Sequence, residues 1–202
     1  MITQLRIGHF SPDAPAVDIR IDGDSLLEGV SFGTLGEYMD VDAGSYDVDI
    51  VPATGGDAVL SATLDVADGE SYTVLAINAL ADIEALVMTD DRSTVDAGDA
   101  RIRFVHTVPD APAVDVMAGG STLFEHVAFG DSSFATVGAD AYDIDVRPTG
   151  SEDSVLRLSD VDFDGATSYT VFATGMLGDD SLDATLVADP VTPDSDDRTI
   201  AA

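Results

Sequence analysis

Apolar and polar residues alternate with period two in short runs along the chain, each run closed by glycine, proline or aspartate. Leu5, Ile7 and His9 alternate with Arg6 and Gly8, which predicts a first strand. Pro12-Asp13-Ala14-Pro15 then breaks the pattern, because two prolines cannot sit in a central ladder. Val17, Ile19 and Ile21 alternate with Asp18, Arg20 and Asp22, a half-buried strand ended by Asp22-Gly23-Asp24. Leu26, Leu27 and Val30 predict a short strand leading to a bend at Phe32-Gly33, and residues 35–41 predict another, closed by Asp42-Ala43-Gly44. Tyr46, Val48 and Ile50 form the next, then Leu60, Ala62, Leu64 and Val66. Residues 72–77 are an almost continuous apolar run, the mark of a central strand, and residues 83–88 close the set. Residues 78–86 are too short for a convincing helix and read as a loop into the last strand. About seven short strands with frequent turn signals are the pattern of an antiparallel β-sandwich.

The pattern is then written a second time. His9-Phe10-Ser11-Pro12-Asp13-Ala14-Pro15-Ala16-Val17-Asp18 returns as His106-Thr107-Val108-Pro109-Asp110-Ala111-Pro112-Ala113-Val114-Asp115. Ile102, Phe104 and His106 match Leu5, Ile7 and His9. Phe129-Gly130 matches Phe32-Gly33, and Tyr142 matches Tyr46 after a one-residue deletion. Tyr169-Thr170-Val171 matches Tyr72-Thr73-Val74. The expected fold is all-β: two tandem immunoglobulin-like antiparallel β-sandwich domains. Their expected bounds are residues 1–92 and 100–190, with a polar linker over 93–99 and an acidic tail over 191–202.

Charge narrows the setting. The formal net charge is -31, carried by 33 aspartates and six glutamates against eight arginines and no lysine. Such a surface is suited to very high salt, where a Debye length of roughly 3 Å at 1 M lets crowded carboxylates coexist. The expected source is therefore an extreme halophile. The same charge argues against nucleic acid and anionic membrane surfaces, which are bound through clustered lysine and arginine. No apolar run is long enough to span a bilayer, so membrane insertion is not expected. Residues 1–20 lack a basic segment followed by an apolar one, which reads as cytoplasmic. The absence of cysteine excludes disulfides, thiol nucleophiles and thiolate metal sites.

Candidate chemistry gathers in the repeated block. His9 or His106 beside Asp13 or Asp110 could act as base or ligand, and Ser11 next to His9 suggests a nucleophile. The second copy argues against this, because Val108 replaces Ser11 in an otherwise intact motif. Periodicity also puts both histidines on the apolar face. We therefore expect each to bond a backbone carbonyl of the proline turn. His126 has no counterpart, since Gly29 occupies that place.

Asp13, Asp18, Asp110 and Asp115 could pair for acid–base work or hold Ca²⁺. The expected role is structural: Asp13 caps its own turn by accepting from an N–H two residues on, and Asp18 lies on a polar strand face. Pro12, Pro15, Pro109 and Pro112 fix the bend. Asp160-Val161-Asp162-Phe163-Asp164-Gly165 imitates the opening of a calcium loop. Its twelfth position is Val171 rather than a bidentate glutamate, so Asp160, Asp162 and Asp164 are at most a weak Ca²⁺ or Mg²⁺ site, in a turn before a strand. Tyr46, after Asp42-Ala43-Gly44, resembles a tyrosine corner, as does Tyr142. Phosphate loops, nucleophile elbows and zinc spacings are absent from the sequence, and no cofactor or catalytic residue is expected.

The phrase His-x-x-Pro-Asp-Ala-Pro-Ala-Val-Asp, followed by Phe-Gly, Tyr-x-Val/Ile and a proline, resembles domain-of-unknown-function family 4397 in its halophilic archaeal type. The matching residues are His9 to Asp18, Phe32-Gly33, Tyr46 to Pro52 and Tyr72 to Val74. In the second copy they are His106 to Asp115, Phe129-Gly130, Tyr142 to Pro148 and Tyr169 to Val171. The resemblance implies a β-sandwich pair with a surface or envelope role, in a family whose members are often exported, and supplies no catalytic residues. The expected function is a non-enzymatic structural or interaction module with a protein partner, including another copy of itself. The alternatives are a carbohydrate- or cation-binding module and, third, an Asp/His hydrolase.

Overall fold

A computed structural model of the chain describes residues 3–189 and residue 191. Apart from Val191, the acidic tail expected over 191–202 lies outside the described residues.

The first repeat contains β1 (Thr3–His9), β2 (Val17–Ile21), β3 (Asp24–Val30), β4 (Thr34–Leu35), β5 (Met39–Val41), β6 (Gly44–Pro52), β7 (Leu60–Val66), β8 (Ser71–Ile77) and β9 (Glu84–Thr89). One sheet runs β4-β1-β8-β9, with β5 also on β1; the other runs β3-β2-β6-β7. The second repeat contains β10 (Asp99–His106), β11 (Val114–Ala118), β12 (Ser121–Val127), β13 (Ser132–Gly138), β14 (Asp140–Pro148), β15 (Leu156–Phe163), β16 (Thr167–Thr174) and β17 (Asp183–Asp189). Its sheets run β13-β10-β16-β17 and β12-β11-β14-β15. The chain is thus two tandem β-sandwich domains. Of residues 78–86, Leu80–Asp82 form a single 3-10 turn and Glu84 already begins β9.

The alternation buries what it predicts. Leu5, Ile7, Val17, Ile19, Val48, Ile50, Leu64, Tyr72 and Val74 form one core between the first pair of sheets. Full burial of each large aliphatic side chain contributes about 1.5–3 kcal/mol. In the second domain aromatic rings take part of this work: Phe163 lies edge-on to Tyr169 with centroids 5.2 Å apart. β8 is buried at every position and lies between β1 and β9, as a continuous apolar run requires.

Two details differ from the expected plan. One pair in each domain is parallel, β1 with β8 and β10 with β16. These strands are joined through the whole opposite sheet, so no hairpin forces them antiparallel. The other difference is that residues 35–41 form two short strands, not one. β4 pairs Gly8 with Leu35, whereas β5 pairs Thr3 with Val41, a register slipped by one residue. The second domain lacks that residue, and β13 runs unbroken from Ser132 to Gly138 against β10. The extra residue makes a break of the bulge kind.

Candidate functional site

β1 ends at His9, and the chain turns through Pro12-Asp13-Ala14-Pro15 to enter the opposite sheet at β2. His9 is fully buried, with Nε2 3.1 Å from the Pro15 carbonyl oxygen. The Ser11 backbone N–H points at Nδ1 from 3.4 Å. Burial holds the His9 pKa below its ordinary value, against the pull of the Pro15 and Ala14 backbone. The ring is therefore neutral at pH 7, with Nε2–H donating to Pro15 and Nδ1 accepting from Ser11. His106 repeats the contact, 3.1 Å from the Pro112 carbonyl. Burial lowers its pKa too, while Pro112 and the Asp131 charge oppose. Ser11 is also fully buried, and its hydroxyl has no hydrogen-bond partner among the described residues. Val108 is buried at the same place in the second domain. No substrate reaches a hydroxyl so enclosed.

The motif aspartates reach further than expected. Asp13 does not cap its own turn, because the residue two positions on is Pro15, which has no N–H to give. Its carboxylate accepts instead from the Leu80 N–H at 2.7 Å, at the start of the 3-10 turn. Asp110, likewise followed by Pro112, accepts from the Leu177 and Gly178 N–H groups, both at 2.7 Å. Each aspartate thus ties the corner to the loop between the last two strands of its repeat.

Asp18 accepts from the Gly29 N–H at 2.9 Å, and Asp115 from the His126 N–H at 2.8 Å. Gly29 and His126 have φ of 63° and 54° and lie where the β2–β3 and β11–β12 registers slip. Gly29 and His126 therefore occupy one structural position, a left-handed bulge residue whose N–H a carboxylate must satisfy. Asp115 also accepts from the Thr149 hydroxyl at 3.0 Å and the Gly150 N–H at 3.3 Å. The His126 N–H foremost, with Thr149 and Gly150, holds its carboxyl below the usual range against a smaller effect of burial.

Asp160 and Asp162 lie within β15, and only Asp164 is in the turn after it. The Asp160 N–H donates to the Asp143 carboxylate at 3.0 Å, and the Asp164 N–H to the Tyr169 hydroxyl at 3.0 Å. A strand paired to β14 cannot wrap a cation as a loop does. Among the described residues no group of three His, Cys, Asp or Glu side chains is placed to share a metal ion. Both tyrosine corners form: the Tyr46 hydroxyl donates to the Asp42 carbonyl at 2.9 Å, and Tyr142 to the Gly138 carbonyl at 3.0 Å.

A second repeated constellation is not evident from periodicity. Alternation sets Arg6 on the polar face of β1, and Asp90 falls just after the last predicted strand of the first repeat. Both are buried, as are Arg103 and Asp189. Arg6 Nε donates to the Thr73 hydroxyl at 2.8 Å, which donates to the Asp90 carboxylate at 2.7 Å. The Tyr38 hydroxyl donates to the same oxygen at 2.8 Å, while its ring lies 4.4 Å from the Arg6 guanidinium. In the second domain Arg103 donates to Thr170 at 3.0 Å, Thr170 donates to Asp189, and the guanidinium lies 5.5 Å from the Phe134 ring. This clasp joins the first strand, the central strand and the end of the last in each domain. Its sequence signal is the repeat: Arg6 and Arg103, Thr73 and Thr170, Asp90 and Asp189 recur in the same order.

The pattern that defines a domain of unknown function, DUF4397, matches residues 3–115 and 100–200. The chain belongs to this family. Its two DUF4397 segments overlap at residues 100–115 and together cover nearly all of it. No curated protein sequence matches the chain. Among solved structures, the tandem DUF4397 chain is similar at 10% identity to a family CBM26 module from Eubacterium rectale Amy13K, crystallised with maltoheptaose. That likeness covers 96% of this chain and 99% of that one, with a TM-score of 0.27. A candidate cell adhesion protein from Bacteroides fragilis NCTC 9343 is similar at 11% identity over 96% and 100% of the two chains, with a TM-score of 0.23. Neither likeness carries an argument about what this DUF4397 protein binds.

Proposed function

We propose that the chain is a non-catalytic interaction module of a halophilic archaeon, presenting sheet faces and edges to a protein partner at a cell surface or within an assembly. One observation carries the reading. In both copies the side chains that look most like chemistry are hydrogen-bonded to their own backbone: His9 and His106 to the proline turn, Asp13 and Asp110 to the facing loop, Asp18 and Asp115 to the bulge. Groups spent on loop closure are not poised for substrate. The domains of the proposal are residues 1–92 and 100–190, with the linker between them. No helix among the described residues is long and apolar enough to cross a membrane.

One groove favours a second reading, a carbohydrate-binding module. It measures roughly 360 Å³ on the β14–β15 face, lined by Met117, Asp143, Asp145, Arg147 and Arg157. Arg147 Nε and Nη2 both donate to Asp145, at 2.9 and 2.5 Å, which leaves its Nη1 donors to meet hydroxyls. Calorimetric titration in multi-molar KCl, with Ca²⁺ and with a panel of glycans, separates the two. The interaction module gives no heat with either. Saturable heat with a glycan that Arg157→Ala abolishes establishes the second reading and overturns the first.

A further inference from the structure

Edge strands differ in where their charge lies. β3 carries Asp24 and Glu28, β7 carries Asp65, β12 carries Glu125, and β15 carries Arg157, Asp160 and Asp162. Charge on an exposed edge keeps other strands from adding to it. β9 and β17 also end their sheets, with Glu84, Asp183 and Asp189 only at the strand ends, so that residues 85–89 and 184–188 hold no ionisable group. Each carries an exposed apolar residue at its centre: Val87 at 46% and Leu186 at 42% exposure. These occupy the same place in the two repeats, three residues before the clasp aspartates Asp90 and Asp189. Val87 pairs in register with Val74 of the core, so it faces the core side of its sheet and continues the core into solvent. β13 is uncharged too, but its exposed Phe134 lies over Arg103.

We infer that β9 and β17 are self-association edges, each pairing antiparallel with the same edge of a second copy of this chain. The inference rests on the interaction-module reading and names its partner and its surface. A two-fold axis normal to the sheet relates the two strands, so each residue faces one of equal parity. Centred on Val87, the pairing sets Val87 against Val87 of the second copy, Leu86 against Met88, and Ala85 against Thr89. Centred on Leu186, it sets Leu186 against itself, Thr185 against Val187, and Ala184 against Ala188. No charged side chain falls within either five-residue ladder; one step outside, Glu84 meets Asp90 and Asp183 meets Asp189, which limits each pairing to these five residues. Charge selects the second copy as occupant: on a chain of net charge -31, another copy approaches best where the neutral centre of one strand meets the neutral centre of another. The segment that follows β17 is a poorer occupant, since Pro190, Pro193 and four aspartates or arginines within residues 194–198 oppose a ladder. One strand pair is a small interface, so association is weak, and salt strengthens it by screening the surrounding carboxylates.

Light scattering across a concentration series in multi-molar KCl tests this. The wild-type mass climbs past that of a dimer, because each chain offers two edges. Val87→Asp and Leu186→Asp each stop growth at the dimer, and the double variant stays monomeric with a native circular dichroism spectrum. If the double variant misfolds, Thr89→Asp with Ala188→Asp places the charge at exposed positions of the same ladders, with the same expectation. Ser159→Asp, on the already charged β15, leaves association unchanged. A wild type that is monomeric at every concentration, or a folded double variant that associates like the wild type, overturns the inference. Neither result touches the broader reading, which a different protein partner would still satisfy and which the glycan titration tests separately.

Discussion

Ser11 condenses the difference between looking reactive and being structural. Its hydroxyl is buried without a partner among the described residues, where the second copy places Val108. An unsatisfied buried hydroxyl costs about 1–3 kcal/mol. Ser11→Ala is accordingly expected to raise stability by about 1 kcal/mol in chemical denaturation. The histidines set a pH limit. Burial lowers their pKa, so between that value and about 6.5 the unfolded chain binds more protons than the folded one. Their contribution is fully present above about 6.5 and is lost as pH falls below it. Asp115 adds a second loss of the same sign below the ordinary carboxylate range. Denaturation of wild type and of His9→Leu/His106→Leu between pH 7.5 and 5, roughly spanning the histidine range, is expected to show the first slope in the wild type alone. At this scale the histidine contact was legible, because a buried imidazole needs a partner and the proline turn was nearest. The reach of Asp13 to Leu80 was not, since only the fold brings residues 67 apart together.

At the scale of elements, period-two patterning located nearly every strand, and the repeat doubled the information. What it hid was the second buried face. Arg6 and Arg103 alternate with core residues and so read as solvent-facing, yet each lies in a clasp with threonine and aspartate. Removing one member of a buried charged network leaves others poorly satisfied, whereas removing both relieves that penalty. Asp189→Ala is expected to cost about 1–3 kcal/mol. Arg103→Met with Asp189→Ala together should cost less than the sum of the two single changes, a coupling read from a double-mutant cycle in denaturant. The parallel pairs β1–β8 and β10–β16 were illegible for a different reason: hydrophobic alternation is the same in either direction.

For the whole molecule, the charge of -31 is legible from composition, and its consequence is a stability that depends on salt. Carboxylates that repel one another in dilute buffer are screened within roughly 3 Å at 1 M salt. The melting temperature is therefore expected to climb steeply between low and multi-molar KCl, and a flat profile would contradict the role given to the acidic surface. Two DUF4397 segments closed by the same corner, bulge and clasp make a scaffold whose repeated residues hold loops and strand ends in place. That account meets its most direct test in the thermal melting of His9→Leu/His106→Leu in multi-molar KCl. Leucine keeps the volume but leaves the Pro15 and Pro112 carbonyls without their ring donors. At about 1–3 kcal/mol for each broken contact, the melting temperature should fall by several degrees. An unchanged melting temperature would contradict the structural role of the motif and return the histidines to the list of residues kept for chemistry.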